Sequence, residues 1–145
     1  MNFPESGPVL VSACLCGLPC RYDGRLTPLP AALELVRQGR AIPVCPEQLG
    51  GLPTPRPAIE LRQGRAYDQA GNDLTAAVAR GAQAAADLAA LADCEAALLK
   101  ARSPTCGAGR IYDGTFSGKL VPGDGMLAAR LRDLGVLLIS DEDLG

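Results

Sequence analysis

Apolar residues along this chain gather in short runs, each closed by glycine, proline or charge. Val9-Leu10-Val11-Ser12-Ala13 is small, apolar and partly β-branched, which predicts a buried strand over 8–13. Ala41-Ile42-Pro43-Val44-Cys45, residues 95–100 and residues 136–140 have the same character and predict three further strands. Between them the spacing lengthens to the helical period. Ala32, Leu33 and Val36 predict a helix over 30–40 that stops at Gly39. An alanine-rich stretch, capped by Asn72 or Asp73 and reaching Asp93, predicts a long helix. Met126, Ala129, Leu131 and Leu134 predict a third helix over 125–134, ended by Gly135. Ile59–Arg62 and Arg65–Tyr67, joined by Gln63-Gly64, read as a hairpin, and 111–116 as a short extended piece.

The resulting order is β, α, β, hairpin, α, β, α, β. Such alternation favours one domain over 1–145, a three-layer α/β fold of the doubly wound, Rossmann-like kind. Its sheet is mostly parallel, with helices on both faces. No repeat or linker interrupts it. Composition narrows the core: hydrophobic residues make up 48% but aromatics only 3%, with no tryptophan, so aliphatic side chains and alanine must fill it.

Charge then limits the partners. Lys and Arg number 14 against 16 Asp and Glu, a net charge of −2, and no basic stripe runs along the chain. A long nucleic acid is therefore not an expected partner. The first residues lack a signal-peptide pattern, and no apolar run is long enough for a membrane span. A cytoplasmic location is expected, where six cysteines point to metal or redox chemistry before disulfides. The absence of histidine removes histidine-based nucleophilic catalysis and imidazole-ligated zinc.

Three cysteines share one setting. Cys14, Cys45 and Cys106 each lie at or just after the end of a predicted strand, beside glycine or proline. Ligands in an open parallel sheet sit beyond the carboxyl ends of its strands, so these thiols are expected to converge. Gly17, Gly50, Gly51 and Gly107 are expected to let the backbone approach a bulky inorganic group. Three thiolates suit an iron–sulfur cluster with one open iron. Zinc would want a fourth ligand, which Cys16 or Cys20 could supply, so spacing leaves the metal open. Buried free cysteines are also ordinary core residues, and Cys94 reads as one. Glu47, two residues after Cys45, would have its pKa raised by neighbouring thiolates and so suit proton transfer. Ser103 reads either as a turn residue before Pro104 or as part of the site. Arg21, Arg56 and Lys100 read as surface cations or as holders of an anionic substrate.

The motifs resemble a known family. Val11-Ser12-Ala13-Cys14-Leu15-Cys16-Gly17 with Cys20-Arg21-Tyr22-Asp23-Gly24 is similar to the opening signature of the thiouracil desulfidases. Pro43-Val44-Cys45-Pro46-Glu47 with Gly50-Gly51-Leu52-Pro53-Thr54-Pro55-Arg56 resembles their second motif. Ser103-Pro104-Thr105-Cys106-Gly107, with the residues 111–118 that follow, resembles the third.

The resemblance implies a [4Fe-4S] enzyme that replaces the sulfur of a thiolated pyrimidine by oxygen. Cys14, Cys45 and Cys106 would hold the cluster, whose fourth iron is free for the thiocarbonyl sulfur and polarises C=S as a Lewis acid. Glu47 would activate water and Ser103 orient the substrate or the departing group, in a hydrolysis without net redox change. Cys16, where an aliphatic residue is expected, and Thr105, where serine is common, depart from the pattern. Some relatives carry a further C-terminal domain and act on thiolated transfer RNA. A chain ending at Gly145 is instead expected to take a free base or nucleotide. The alternatives are a non-catalytic zinc or iron–sulfur module, and a thiol redox protein, which would give Cys45 and Cys106 no role.

Overall fold

The computed structural model describes residues 3–144. Four strands, β1 (Val9–Ser12), β2 (Ala41–Val44), β5 (Ala96–Leu99) and β8 (Leu137–Ser140), form one sheet in the order β2-β1-β5-β8. All its pairings are parallel, with Val9 beside both Ala41 and Ala96, and Ala96 beside Leu137. Helices α1 (Pro30–Arg37), α3 (Thr75–Leu91) and α4 (Met126–Asp133) supply the crossovers. The chain leaves β1 towards one edge of the sheet and β5 towards the other. The order therefore reverses between these two strands, which opens a crevice at their carboxyl ends.

Each central strand is buried on both sides. Leu10, Ala97 and Leu99 face Ala82, Ala85, Ala86 and Ala89 of α3 and Leu127 and Leu131 of α4. Val9, Val11, Ala96, Leu98 and Ile139 face Ala32 and Leu35 of α1 on the opposite side. The period of two along the strands thus separates two aliphatic layers. Cys94 lies in the first layer as a buried core residue, as its sequence context predicts.

The expected fold class and hairpin are present, the latter as β3 (Ile59–Arg62) and β4 (Arg65–Asp68), paired antiparallel. The N-cap of α3 is Leu74, with no side-chain cap, rather than Asn72 or Asp73; Asp73 Oδ1, one residue earlier, accepts from the Thr75 amide at 2.9 Å. Helix faces needed correction. In α1 it is Ala32 and Leu35 that are buried, while Val36 is 48% exposed. In α4 the buried residues are Leu127, Ala128 and Leu131, with Leu134 past the helix end and exposed.

Four elements were not anticipated. A 3-10 turn follows β1 at Ala13–Cys16 and another follows β8 at Asp141–Leu144. The short helix α2 (Pro46–Leu49) occupies what reads as a loop, with Pro46 at its first position. The extended piece is shorter than expected, β6 (Arg110–Tyr112), and pairs antiparallel with β7 (Leu120–Pro122). Among the described residues no helix is long and apolar enough to cross a membrane.

Candidate active site

Three loops at the carboxyl edge of the sheet carry the site. Cys14 sits in the turn directly after β1, Cys45 between β2 and α2, and Cys106 on the loop leaving β5. Together with Cys20 they line one cavity of about 600 Å³. Cys14, Cys20 and Cys106 are buried, and Cys45 is half-buried. The convergence expected from strand-end placement is therefore present. Cys16 lies outside the cavity, packed against the α1-side layer, and all six cysteines are free thiols.

Backbone packing fixes two of these loops. The carbonyls of Pro104 and Thr105 accept from the Met126 and Leu127 amides, each at 2.9 Å, using N–H groups that the first turn of α4 leaves unpaired. Gly125 allows this approach, since a Cβ there would stand 2.6 Å from the Thr105 oxygen. Within the loop, Ser103 Oγ accepts from the amides of Thr105 and Cys106, both at 3.1 Å. On the other side, α2 lies directly on α3. A Cβ at Gly81 would overlap the Pro46 carbonyl, and one at Gly50 would overlap the Ala77 carbonyl. Gly50 thus serves helix packing, Gly107 packs against Ser103, and Gly17 ends a turn with φ of 83°. None of the four glycines expected to cradle a ligand lines the cavity, which corrects that expectation.

The thiols are not equivalent. The neighbouring Cys20 thiol is the largest influence on both Cys14 and Cys45; it outweighs burial and draws Cys14 down to about 7 and Cys45 to about 6. Thr27 and the Lys100 charge assist at Cys14, and the Gln48 amide and Arg56 at Cys45. The Cys14 and Cys45 thiols in turn push the Cys20 thiol upward. Burial pushes Cys106 up to about 12.

Glu47 is 8% exposed and does not face thiols alone. Arg56, equally buried, donates from Nε to Glu47 Oε1 at 2.8 Å, and its two NH groups reach the Pro53 and Cys20 carbonyls at 3.1 and 3.0 Å. The expected one-sided negative environment is thereby corrected by a fixed cation. Thr105 Oγ1 lies 3.3 Å from Glu47 Oε2 and 2.9 Å from Ser103 Oγ. A continuous hydrogen-bonded line thus joins Arg56, Glu47, Thr105 and Ser103 along the cavity wall. The other cations of the lining are also matched: Arg21 with Asp23 at 3.2 Å, Lys100 with Asp141 at 2.9 Å, and Arg102 with Glu142 at 3.0 Å.

Comparison with known proteins places this arrangement. Residues 9–143 match the family model described as 2-thiouracil desulfurase. The chain belongs to the 2-thiouracil desulfurase family. A solved structure of a [4Fe-4S]-dependent thiouracil desulfidase, TudS, superposes with a TM-score of 0.91 at 42% identity, over 96% of this chain and 93% of that one. The uncharacterized protein YbbK of Bacillus subtilis (strain 168) is 38% identical over 94% of this chain and 97% of its own length.

Within this desulfurase fold, all five residues singled out from the sequence, Cys14, Cys45, Cys106, Glu47 and Ser103, line the one cavity. The donor set suits a cluster better than a lone ion. Three thiols from three separate loops meet at one cavity large enough for an inorganic cluster. Sequence reasoning passed over Thr105 except as a departure, and read Arg56 as a surface cation or a substrate anchor. The glycine before Met126 was the one available signal for the α4 contact.

Proposed function

We propose that this protein replaces the thiocarbonyl sulfur of a thiolated pyrimidine by oxygen, C=S and water giving C=O and hydrogen sulfide, with no net redox change. Cys14, Cys45 and Cys106 would hold a [4Fe-4S] cluster, and Glu47 and Ser103 would be the catalytic residues. When bound, the cluster supplies an iron with an open position that polarises the C=S bond as a Lewis acid.

The observation that carries the reading is the line from Glu47 through Thr105 to Ser103 beside three thiols. Arg56 holds Oε1 of Glu47, so Oε2, which takes only the longer bond from Thr105, is the oxygen open to a water. Glu47 accepts a proton from that water as it attacks the thiocarbonyl carbon. Glu47 then gives that proton directly to the departing sulfur or a ring nitrogen, while Thr105, donating to Oε2, holds the carboxylate in place. Ser103 Oγ accepts two amides, so its hydrogen points to Thr105 Oγ1 and can turn from there to orient the substrate or the departing group.

Anaerobic reconstitution with iron and sulfide, followed by an assay on thiouracils, tests this. A visible absorption band, sulfide release and loss of turnover in Glu47→Gln support the enzyme. A colourless protein that binds one zinc and stays inert would overturn it in favour of a structural metal module.

A further inference from the structure

Aromatic residues are scarce in this chain, and their distribution is uneven. There are two Phe, three Tyr and no Trp, in a core built from aliphatic side chains. Tyr22, Tyr112 and Phe116 nevertheless all line the one cavity. Tyr22 is engaged: the Arg21 guanidinium stands over it, 5.4 Å from its centroid. Phe116 has no polar atom to satisfy and, among the described residues, no cation over its ring.

The Phe116 backbone is held in an unusual state. Its φ is +58°, which a bulky side chain seldom adopts. The half-buried Glu60 carboxylate on β3 accepts from both the Gly114 amide at 3.0 Å and the Phe116 amide at 3.1 Å, through one oxygen. Gly114, with φ of +90°, lies so close to β3 that a Cβ would sit 2.7 Å from the Leu61 oxygen. A carboxylate and a glycine contact thus strap the loop of the β6–β7 hairpin against β3. A hydrophobic ring held at such a cost in backbone freedom, at the wall of the cavity that holds the thiols, is a recognition feature.

We propose that Phe116 is the residue on which the planar ring of the substrate stacks, and that Glu60 positions it. This rests on the thiopyrimidine reading above. Every π-face of a nucleobase stacks on an aromatic side chain irrespective of its hydrogen-bonding edge.

The test uses cluster-loaded protein. For 2-thiouracil, Phe116→Ala is expected to raise KM about tenfold, with kcat and iron content within about twofold of wild type. Phe116→Tyr, which keeps the ring, should stay well below that KM. Glu60→Ala should shift KM in the same direction as Phe116→Ala, and Glu60→Gln, which still offers an oxygen to both amides, should restore it. Equilibrium dialysis of 2-thiouracil in the Glu47→Gln background, with and without Phe116→Ala, should show the same loss of affinity without turnover. An unchanged KM and affinity in both Phe116→Ala and Glu60→Ala, or a fall in kcat alone, would overturn the assignment while leaving the desulfidase reading in place. A wild-type protein that neither binds nor desulfurises any thiopyrimidine would overturn that reading and this one with it. If Phe116→Ala does not load iron, the Glu60→Ala and Glu60→Gln pair decides.

Discussion

Arg56 and Glu47 meet at 2.8 Å with side chains only 4% and 10% exposed, which makes them a buried ion pair at the wall of a cavity rather than a surface contact. Breaking such a pair leaves a charge in low dielectric without its partner, at about 3–5 kcal/mol. Arg56→Met should lower the urea midpoint accordingly. Glu47→Gln combined with Arg56→Met should recover part of that stability and none of the activity. A strictly additive double-mutant cycle would show that the pair is not coupled.

Thr105 offers a sharper test of how Glu47 is held for proton transfer, because valine matches its shape and lacks its hydroxyl. Thr105→Val should reduce turnover by about 10² or more. The lost hydrogen bond to Glu47 should cost only about 1 kcal/mol of stability. Thr105→Ser, which keeps the hydroxyl, should retain most of the rate. Steady-state kinetics paired with a denaturation curve separates the two effects.

Gly81 stands across from Pro46 with no space for a methyl group. In Gly81→Ala the short helix α2 must shift, costing roughly 1–3 kcal/mol. Cys45 and Glu47 move with it. Iron bound per chain after reconstitution should therefore fall, although residue 81 lies outside the cavity. A variant that is destabilised and still takes up a full complement of iron would separate packing from the site.

The cysteines should divide by position. Cys14→Ser, Cys45→Ser and Cys106→Ser should each lower the iron retained after reconstitution. Cys16→Ser and Cys94→Ser should not, since neither side chain lines the cavity. Iron and sulfide analysis of the five variants is sufficient.

Asp124, beside the glycine that meets the Thr105 loop, carries an acid dependence. Arg132, bonded to it at 2.8 Å, and the Gly109 amide hold its carboxyl below the ordinary carboxylate range. A lowered native pKa adds stability above the unfolded value, near 4, that is lost as pH falls through the native one. Arg132 is more than half exposed, so the contribution is at most about 1 kcal/mol. The gap between wild type and Asp124→Asn in urea should be present at pH 7 and close on acidification.

Much of this was legible before any coordinates. Runs such as Val9–Ser12 and Ala96–Leu99 announce themselves because both of their faces are apolar, and alternation with helices implies a parallel sheet. Strand-end cysteines then follow from the topology. Helix α2 was not legible, because Pro46 and the glycine pair at 50 and 51 signal a loop, and four residues carry no periodicity. Strand β7 is three residues long and ends in proline, too short to show a period of two. The partnership of Thr105 with Glu47 spans 58 residues, and nothing local to either one encodes it. Arg56 reads as a surface charge because only the folded chain shows what covers it.

The matched charges around the cavity have a kinetic corollary. With Arg21, Lys100, Arg102 and Arg56 each paired with a neighbouring carboxylate, and Glu60 bound only by backbone amides, the lining carries no excess of positive charge. Small uncharged molecules then reach it by unguided diffusion, and their encounter rate is indifferent to ionic strength, whereas guided capture would fade within a Debye length as salt is added.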